Sequence, residues 1–322
     1  MKDMQDLRER LSERALLKGV ELGKDEERVL RDLRRWLRRD IPCKGTVRTE
    51  DGSYTLIDPE HGEPYHSITA GALTESLEKF FKPSGLSEIA PFRERIAILD
   101  VGFGLGYNTA VAVYELRKLN RKVRVEVIAL DKNVPENIPD LPEPYTAVHR
   151  KIMGLLPEDE SDGVSVKLYE GDMRKTLKAV RNFRADVVFH DPFSPYRNPE
   201  AWSLELLGLV KKLLREDGVW VSYTSSLRVR RALHELSFKL GSTPSVGRKR
   251  GGTVASIKGC VGELTAKERL KLLNSPYSVP LRDPGLDLHP TDILIDYRLS
   301  VLLRERAVSS ERRRELSQIR SS

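Results

Sequence analysis

The sequence predicts an α/β fold of the Rossmann-like type, a mainly parallel sheet with helices on both faces. Three observations carry that expectation. From Arg95 onward, short apolar strands alternate with helices, the pattern of parallel sheets covered on both sides. The run Ile96-Ala97-Ile98-Leu99-Asp100-Val101 leads straight into Gly102-Phe103-Gly104-Leu105-Gly106 and a helix to about Leu119. Later strands end at Asp131, Asp172 and Asp191, and open sheets of this kind bind ligands outside the carboxyl ends of their strands, where strand order reverses.

Residues 4–40 read as one or two highly charged helices, with Leu7, Leu11, Leu16, Leu30, Leu33 and Leu37 at near-helical spacing and Pro42 as the stop. A helix from Asp25 to Arg39 puts Arg31, Arg34, Arg35, Arg38 and Arg39 on its polar faces, the pattern of a docked, solvated helix or of an RNA-contacting arm. Thr46 to Thr49 and Ser53 to Ile57 are β-prone, and Asp51-Gly52 between them signals a hairpin. A helix follows from about Ala72 to Phe81. Beyond the glycine loop the pattern predicts strands at Val123 to Leu130, Val164 to Tyr169, Asp186 to Phe189 and Val219 to Tyr223. It predicts helices near 146–154, from Met173 to Asn182, from Pro199 to Leu214 and from Leu227 to Leu240, with a last β pair near Ser245 and Thr253 to Ile257. Asn198 is the predicted N-cap of the third of these helices, with Gly218 beyond its end. The division is a helical extension over 1–42, a hairpin and helix over 43–94, the core over 95–260 and a C-terminal extension over 261–322.

At 322 residues the chain can bury a sizeable core. No stretch approaches the roughly 20 apolar residues of a membrane span, and the charged N-terminus lacks a signal-peptide pattern. Cys43 and Cys260 are the only cysteines and lie far apart, which fits a reducing compartment without a disulfide framework or zinc site. A cytoplasmic location is the expectation, and no motif asks for a metal. The net charge of +7 and pI near 9.3 suit a polyanionic partner. They also suit a high-temperature protein: Gln5 and Gln318 are the only glutamines, while charged residues reach 32%.

The glycine loop lets the backbone turn sharply and approach a ligand with no side chain in the way. Its G-x-G-x-G spacing differs from the dinucleotide G-x-G-x-x-G, and it lacks the Lys-Ser/Thr of a P-loop. Asp100, at the strand end, is placed to hold the loop or a ligand amino group. Asp131, about thirty residues after the loop, can accept from both ribose hydroxyls, and Asp172 from an adenine amino group or from the next helix as its N-cap. This set suits a nucleoside cofactor. A nicotinamide remains open, but the loop spacing points to S-adenosyl-L-methionine. In His190-Asp191-Pro192-Phe193-Ser194-Pro195, Pro192 keeps Asp191 out of helical geometry. A carboxylate there can orient an acceptor amine and help remove its proton. His190 reads as a strand residue rather than a base.

These residues together resemble the MnmC family (DUF752), tRNA 5-aminomethyluridine methyltransferases. The resemblance rests on Asp100-Val101-Gly102-Phe103-Gly104-Leu105-Gly106-Tyr107-Asn108, on Asp191-Pro192-Phe193-Ser194-Pro195 with Asn198-Pro199-Glu200-Ala201-Trp202, and on Thr224-Ser225-Ser226 with Val229-Arg230-Arg231. It extends upstream to Gly62-Glu63-Pro64-Tyr65-His66-Ser67 and Gly71-Ala72-Leu73-Thr74-Glu75-Ser76, and covers about residues 46–260. The resemblance implies a class I methyltransferase sheet and methyl transfer from S-adenosyl-L-methionine to the aminomethyl group of the wobble uridine. It implies a cofactor set of Asp100, Gly102, Phe103, Gly104, Gly106, Asn108, Asp131, Asp172 and Glu75, with Asp191 at the acceptor amine. Tyr65, Phe193 and Ser194 are the implied substrate wall, and Arg230, Arg248, Lys249 and Arg250 the implied RNA contacts. Bifunctional members carry an FAD-dependent oxidase. No second glycine loop follows residue 260 here, so no FAD is expected. Asp-Ala-Phe in the family is Asp-Pro-Phe here. The rivals are an aminopropyltransferase of the spermidine synthase type, whose usual G-G-G-x-G loop is absent, and an RNA-binding protein on an inactive scaffold.

Overall fold

The computed structural model describes residues 2–38, 45–247 and 251–321. The chain opens with helices α1 (Lys2–Leu17) and α2 (Glu26–Leu37). Strands β1 (Gly45–Arg48), β2 (Tyr54–Asp58) and β3 (Glu63–Pro64) then form a small antiparallel sheet. Its turn is the predicted Asp51-Gly52. One oxygen of Asp51 accepts from Ser53 N and Thr49 Oγ1, and the other from Thr74 N at 2.8 Å. Burial pushes this carboxyl up, but the hydrogen bonds from Ser53, Thr74 and Thr49 outweigh it and hold it at about 2. The hairpin is thereby tied to the next helix, α3 (Ala72–Glu75), which continues as a π-helical stretch over Ser76–Phe81. A short α4 (Leu86–Ile89) leads into the main sheet.

That sheet has eight strands. In chain order they are β4 (Arg95–Val101), β5 (Arg124–Asp131), β6 (Glu158–Ser161), β7 (Val164–Glu170), β8 (Ala185–His190), β9 (Leu214–Ser222), β10 (Lys239–Ser242) and β11 (Thr253–Ser256). Their spatial order is β10-β11-β9-β8-β4-β5-β7-β6. The central five are parallel, and β6, β10 and β11 join antiparallel at the edges. Strand order therefore reverses between β4 and β8, the place where a ligand site is expected. Side chains alternate across the sheet. Ile96 and Ile98 pack with α5 (Tyr107–Leu119) and α6 (Thr146–Gly154) on one face. Ala97 and Leu99 pack on the other with α8 (Leu204–Leu213), α9 (Leu227–Glu235) and the terminal helices. The predicted fold class is the one observed.

Several boundaries differ from the sequence pattern, for local or tertiary reasons. The helix expected from Met173 to Asn182 is α7, Met173–Thr176 only. After it the chain tightens, with Lys178 N bonding Lys175 O and Ala179 N bonding Thr176 O. The helix expected from Pro199 breaks at Ser203, where ψ is 150°. Ser203 bridges Leu281, Leu204 N donates to Leu281 O, and Ser203 Oγ caps α8 in place of the predicted Asn198. Gly218 lies inside β9 rather than in a loop. The helix expected to reach Leu240 stops at Glu235, because Ser237 turns with φ 63° and the chain re-enters the sheet as β10. The elements not predicted include β3, α4, β6, and α10 (Ala266–Asn274) with a full capping box of Thr265 and Glu268. The T-x-x-E spacing was a readable signal for the last of these.

The two terminal segments are one structural unit. Leu7 and Leu11 of α1, Val29, Leu30 and Leu33 of α2, and Leu294, Leu299 and Leu302 of α11 (Pro290–Ser321) share a cluster with Leu99 and Trp220. Ion pairs stitch the same seam: Arg10–Asp292 at 3.1 Å, Arg14–Asp296, Arg298–Asp32 at 2.9 Å, Arg28–Glu305 at 3.0 Å and Arg306–Asp25 at 2.8 Å. Among the described residues no helix is long and apolar enough to cross a membrane. Arg298 is fully buried, while Asp32 and Glu305 keep partial contact with water. Arg298→Ala should therefore cost about 3 kcal/mol, the low end for breaking a buried pair, as a fall in the urea midpoint. No change in that midpoint would show that the seam is not held by this cation.

Candidate active site

A cavity of about 580 Å³ opens at the carboxyl ends of β4, β5, β7 and β8, within the size range of small-molecule sites. Its floor is the glycine loop. Gly102 and Gly104 have φ of 81° and 55°, and both Gly102 N and Phe103 N donate to Leu130 O. A Cβ on Gly102 would stand 2.7 Å from Pro192 N and 2.8 Å from Asp191 C, so only glycine lets these two strand ends close. A Cβ on Gly104 would meet the Tyr65 ring at 2.9 Å.

Acidic groups surround this floor. Asp131 lines the cavity, with one carboxylate oxygen accepting from Gly104 N at 2.7 Å and the other from Asn133 N at 3.2 Å. Burial raises its pKa against those backbone donors. Asp172 lines the cavity and also caps α7, accepting from Arg174 N at 3.0 Å. The N-cap expectation for this residue holds in the geometry. Burial raises the Asp172 carboxyl, but the Arg174 guanidinium beside it at 2.7 Å wins and lowers it. Glu75 is buried at the cavity wall and accepts from Ser67 N at 2.7 Å. Asp191, in the loop after β8, is fixed through its backbone by Val101 O and through its carboxylate by Asn108 Nδ2 at 2.8 Å.

The small hairpin forms the opposite wall. Phe193 stacks on His61 at 4.3 Å and meets Tyr65 edge-on at 5.1 Å. Ser194 donates from N and Oγ to Glu63 at 2.8 and 2.7 Å, so Glu63 clamps the hairpin to the loop after β8. Burial beside Asp58 and Asp131 pushes the Tyr65 hydroxyl well above its ordinary value.

The structure sorts the remaining sequence candidates. Asp100, Gly106 and Asn108 lie behind the cavity and are not among its lining residues. Asp100 is fully buried with Thr109 Oγ1 at 2.7 Å, Gly106 begins α5, and Asn108 reaches the site through Asp191. Their part is to hold the loop and the carboxylate, not to line the pocket. Arg230 requires a correction. It is buried, its guanidinium bonded to Thr253 Oγ1, Glu268, Ser242 Oγ and Gly252 O, so it braces β10 and β11 and presents no surface to RNA. Arg228 is buried too, packed on Tyr196 at 3.9 Å and Tyr297 at 4.2 Å. Arg248, Lys249 and Arg250 lie outside the described residues. His190, buried with its Nε2 at 2.9 Å from Ala201 O, is held neutral by burial, down to about 3. Sequence reasoning missed His61, Glu63 and Arg174. Glu63 stood in a quoted motif but was given no role. Arg174 was given no role, and besides its neighbour Asp172 its partners Asp283 and Leu288 O come from far along the chain.

The cavity is lined by seven carboxylate side chains against three of lysine or arginine. That wall fits S-adenosyl-L-methionine, whose sulfonium and ammonium are cationic and whose ribose and adenine offer hydrogen-bond donors. A family model for S-adenosyl-L-methionine-dependent methyltransferases matches residues 136–258. The crystal structure of MnmC2 from Aquifex aeolicus superposes with a TM-score of 0.87 at 48% identity, over 93% of this chain and 99% of that one. An uncharacterized protein of Methanocaldococcus jannaschii is 31% identical over 286 residues, 85% of this chain and 76% of its own length. The bifunctional tRNA 5-methylaminomethyl-2-thiouridine biosynthesis protein MnmC of Azoarcus sp. is 32% identical over 218 residues, 62% of this chain and 33% of that protein. This chain thus spans about a third of that bifunctional relative. The glycine loop, the acidic strand ends and these likenesses agree: the chain belongs to the MnmC2 family of S-adenosyl-L-methionine-dependent methyltransferases.

Proposed function

We propose that the chain methylates the amino nitrogen of 5-aminomethyluridine, with or without 2-thiolation, at the wobble position of tRNA. The observation that carries this reading is Asp191, held by Asn108 and Val101 O at the mouth of the switch point, beside the aromatic wall of Phe193, His61 and Tyr65. S-adenosyl-L-methionine, when bound, supplies an electrophilic methyl group. Asp131 would accept from its ribose, Asp172 from its adenine, and Glu75 would contribute a further acceptor at the wall. An aminomethyl group arrives protonated at neutral pH. The Asp191 carboxylate accepts a hydrogen bond from it, takes a proton and leaves the nitrogen lone pair aligned for attack. A wobble base must leave its stack to enter such a pocket, and aromatic rings are what receive unstacked bases. The likeness to MnmC proteins of tRNA 5-methylaminomethyl-2-thiouridine biosynthesis supports the same acceptor.

Labelled cofactor with tRNA carrying 5-aminomethyluridine tests this, with unmodified transcript and polyamines as the other acceptors. Label should enter only the aminomethyl tRNA. Methyl label entering a polyamine alone would replace the tRNA acceptor with a polyamine amine. Asp191→Asn should lower transfer by about 10²-fold or more, the contribution of a positioned acid or base, while cofactor affinity stays within a few-fold. Equal loss of both would assign Asp191 to cofactor binding instead.

Asp100 gives a pH signature. Burial raises it to about 7, opposed by the Thr109 hydroxyl. The folded state thus holds a proton that the unfolded state releases near its ordinary value. Stability should fall as pH climbs from about 4 to about 7 and level off above. Asp100→Asn should lack this decline, which urea midpoints at pH 5 and pH 8 would measure. A parallel decline in the variant would exclude Asp100 as its source.

A further inference from the structure

We infer that the outer face of α2 is the docking surface for the tRNA phosphate backbone, an inference that rests on the tRNA acceptor proposed above. The cavity itself cannot serve this purpose. Its lining carries an excess of carboxylates, which repel phosphate, so the energy of RNA binding must come from a surface beside it.

Helix α2 supplies one. Its inner face buries Val29, Leu30, Leu33 and Trp36. Asp25, just before the helix, turns inward to Arg306, and Asp32 turns to the buried Arg298, while Glu26 and Glu27 in the first turn pair with Arg8. What remains outside over the last two turns is Arg31, Arg34, Arg35 and Arg38, all exposed. At 3.6 residues per turn these four fall within an arc of about 100°. Arg35 reaches Asp32 only at 3.9 Å, and Arg31 and Arg34 have no carboxylate within ion-pair distance among the described residues. Spacings of three and four residues bring like charges side by side on a helix, which opposes helix formation. The favourable end of the helix dipole covers the last turn but not Arg31. A polyanion laid along the stripe relieves the repulsion that the helix otherwise bears.

The position fits the chemistry. Leu37, one helical turn beyond Arg34, lines the active-site cavity, and Trp36 packs at 5.0 Å on Tyr196, which lines it too. The stripe therefore ends at the cavity mouth. An RNA strand held on it by phosphates, without base readout, would have an adjacent nucleotide free to turn its base into the pocket.

The test is binding of an unmodified tRNA transcript to the full chain, by equilibrium titration across salt, for wild type and for R31Q/R34Q/R35Q. Three lost phosphate contacts should lower the slope of log Kd against log salt by about two to three. Affinity should fall at least tenfold, and in turnover the loss should sit in KM for tRNA, with cofactor affinity preserved. The single exposed reversal Arg34→Glu should move Kd in the same direction, which guards against misfolding of the triple variant. Wild-type affinity and slope in both variants would return the stripe to a solvated face and overturn the inference. If the wild type binds tRNA through the stripe but methylates no aminomethyl tRNA, the acceptor assignment falls while the docking surface stands.

Discussion

The site depends on one close approach of backbone to backbone. Where β4 ends, Gly102 comes so near the Asp191–Pro192 peptide that a single added carbon would overlap it. That approach is possible only because β4 and β8 are adjacent parallel strands at the reversal of strand order. It fixes the Asp191 carboxylate against the glycine loop within one rigid sheet, with Asn108 from the following helix as the brace. The hairpin wall is subordinate to the same contact, since Glu63 grips the loop after β8 through Ser194. Precision here comes from main chain packed on main chain, the least adjustable material a protein has.

What the sequence made legible follows from this. Strands, glycine loop and acidic strand ends are local patterns, and Asp131, Asp172 and Asp191 stand where their positions after apolar runs placed them. The misreadings share one cause, partners supplied from distant parts of the chain. An arginine in the first turn of a helix reads as exposed, but β10 and β11 fold over Arg230 and surround it with acceptors. The helix from Pro199 looks continuous until Leu281 claims Ser203 for a bridge. Likewise Met173 begins a helix that Arg174 cannot reveal as short, since that side chain is drawn to Asp283, over a hundred residues away.

The terminal helices illustrate the same point at larger scale. Read along the chain, they are two extensions with solvated charge. In the fold they close one face of the sheet together, and their inward carboxylates and arginines consume one another along the seam. Ion-pair networks of this kind gain weight as temperature rises, because charge desolvation becomes less costly. Composition alone displayed the abundance of charge but not its sorting into an inner, paired seam and a surface that carries the arginine stripe of α2.

The acidic lining has a consequence for turnover. Transfer of the methyl group removes the sulfonium charge from the cofactor, while the carboxylates of the wall remain. The wall thus favours the fresh cofactor over the spent one by charge alone. Part of the discrimination between them is set by the static electrostatics of the cavity lining.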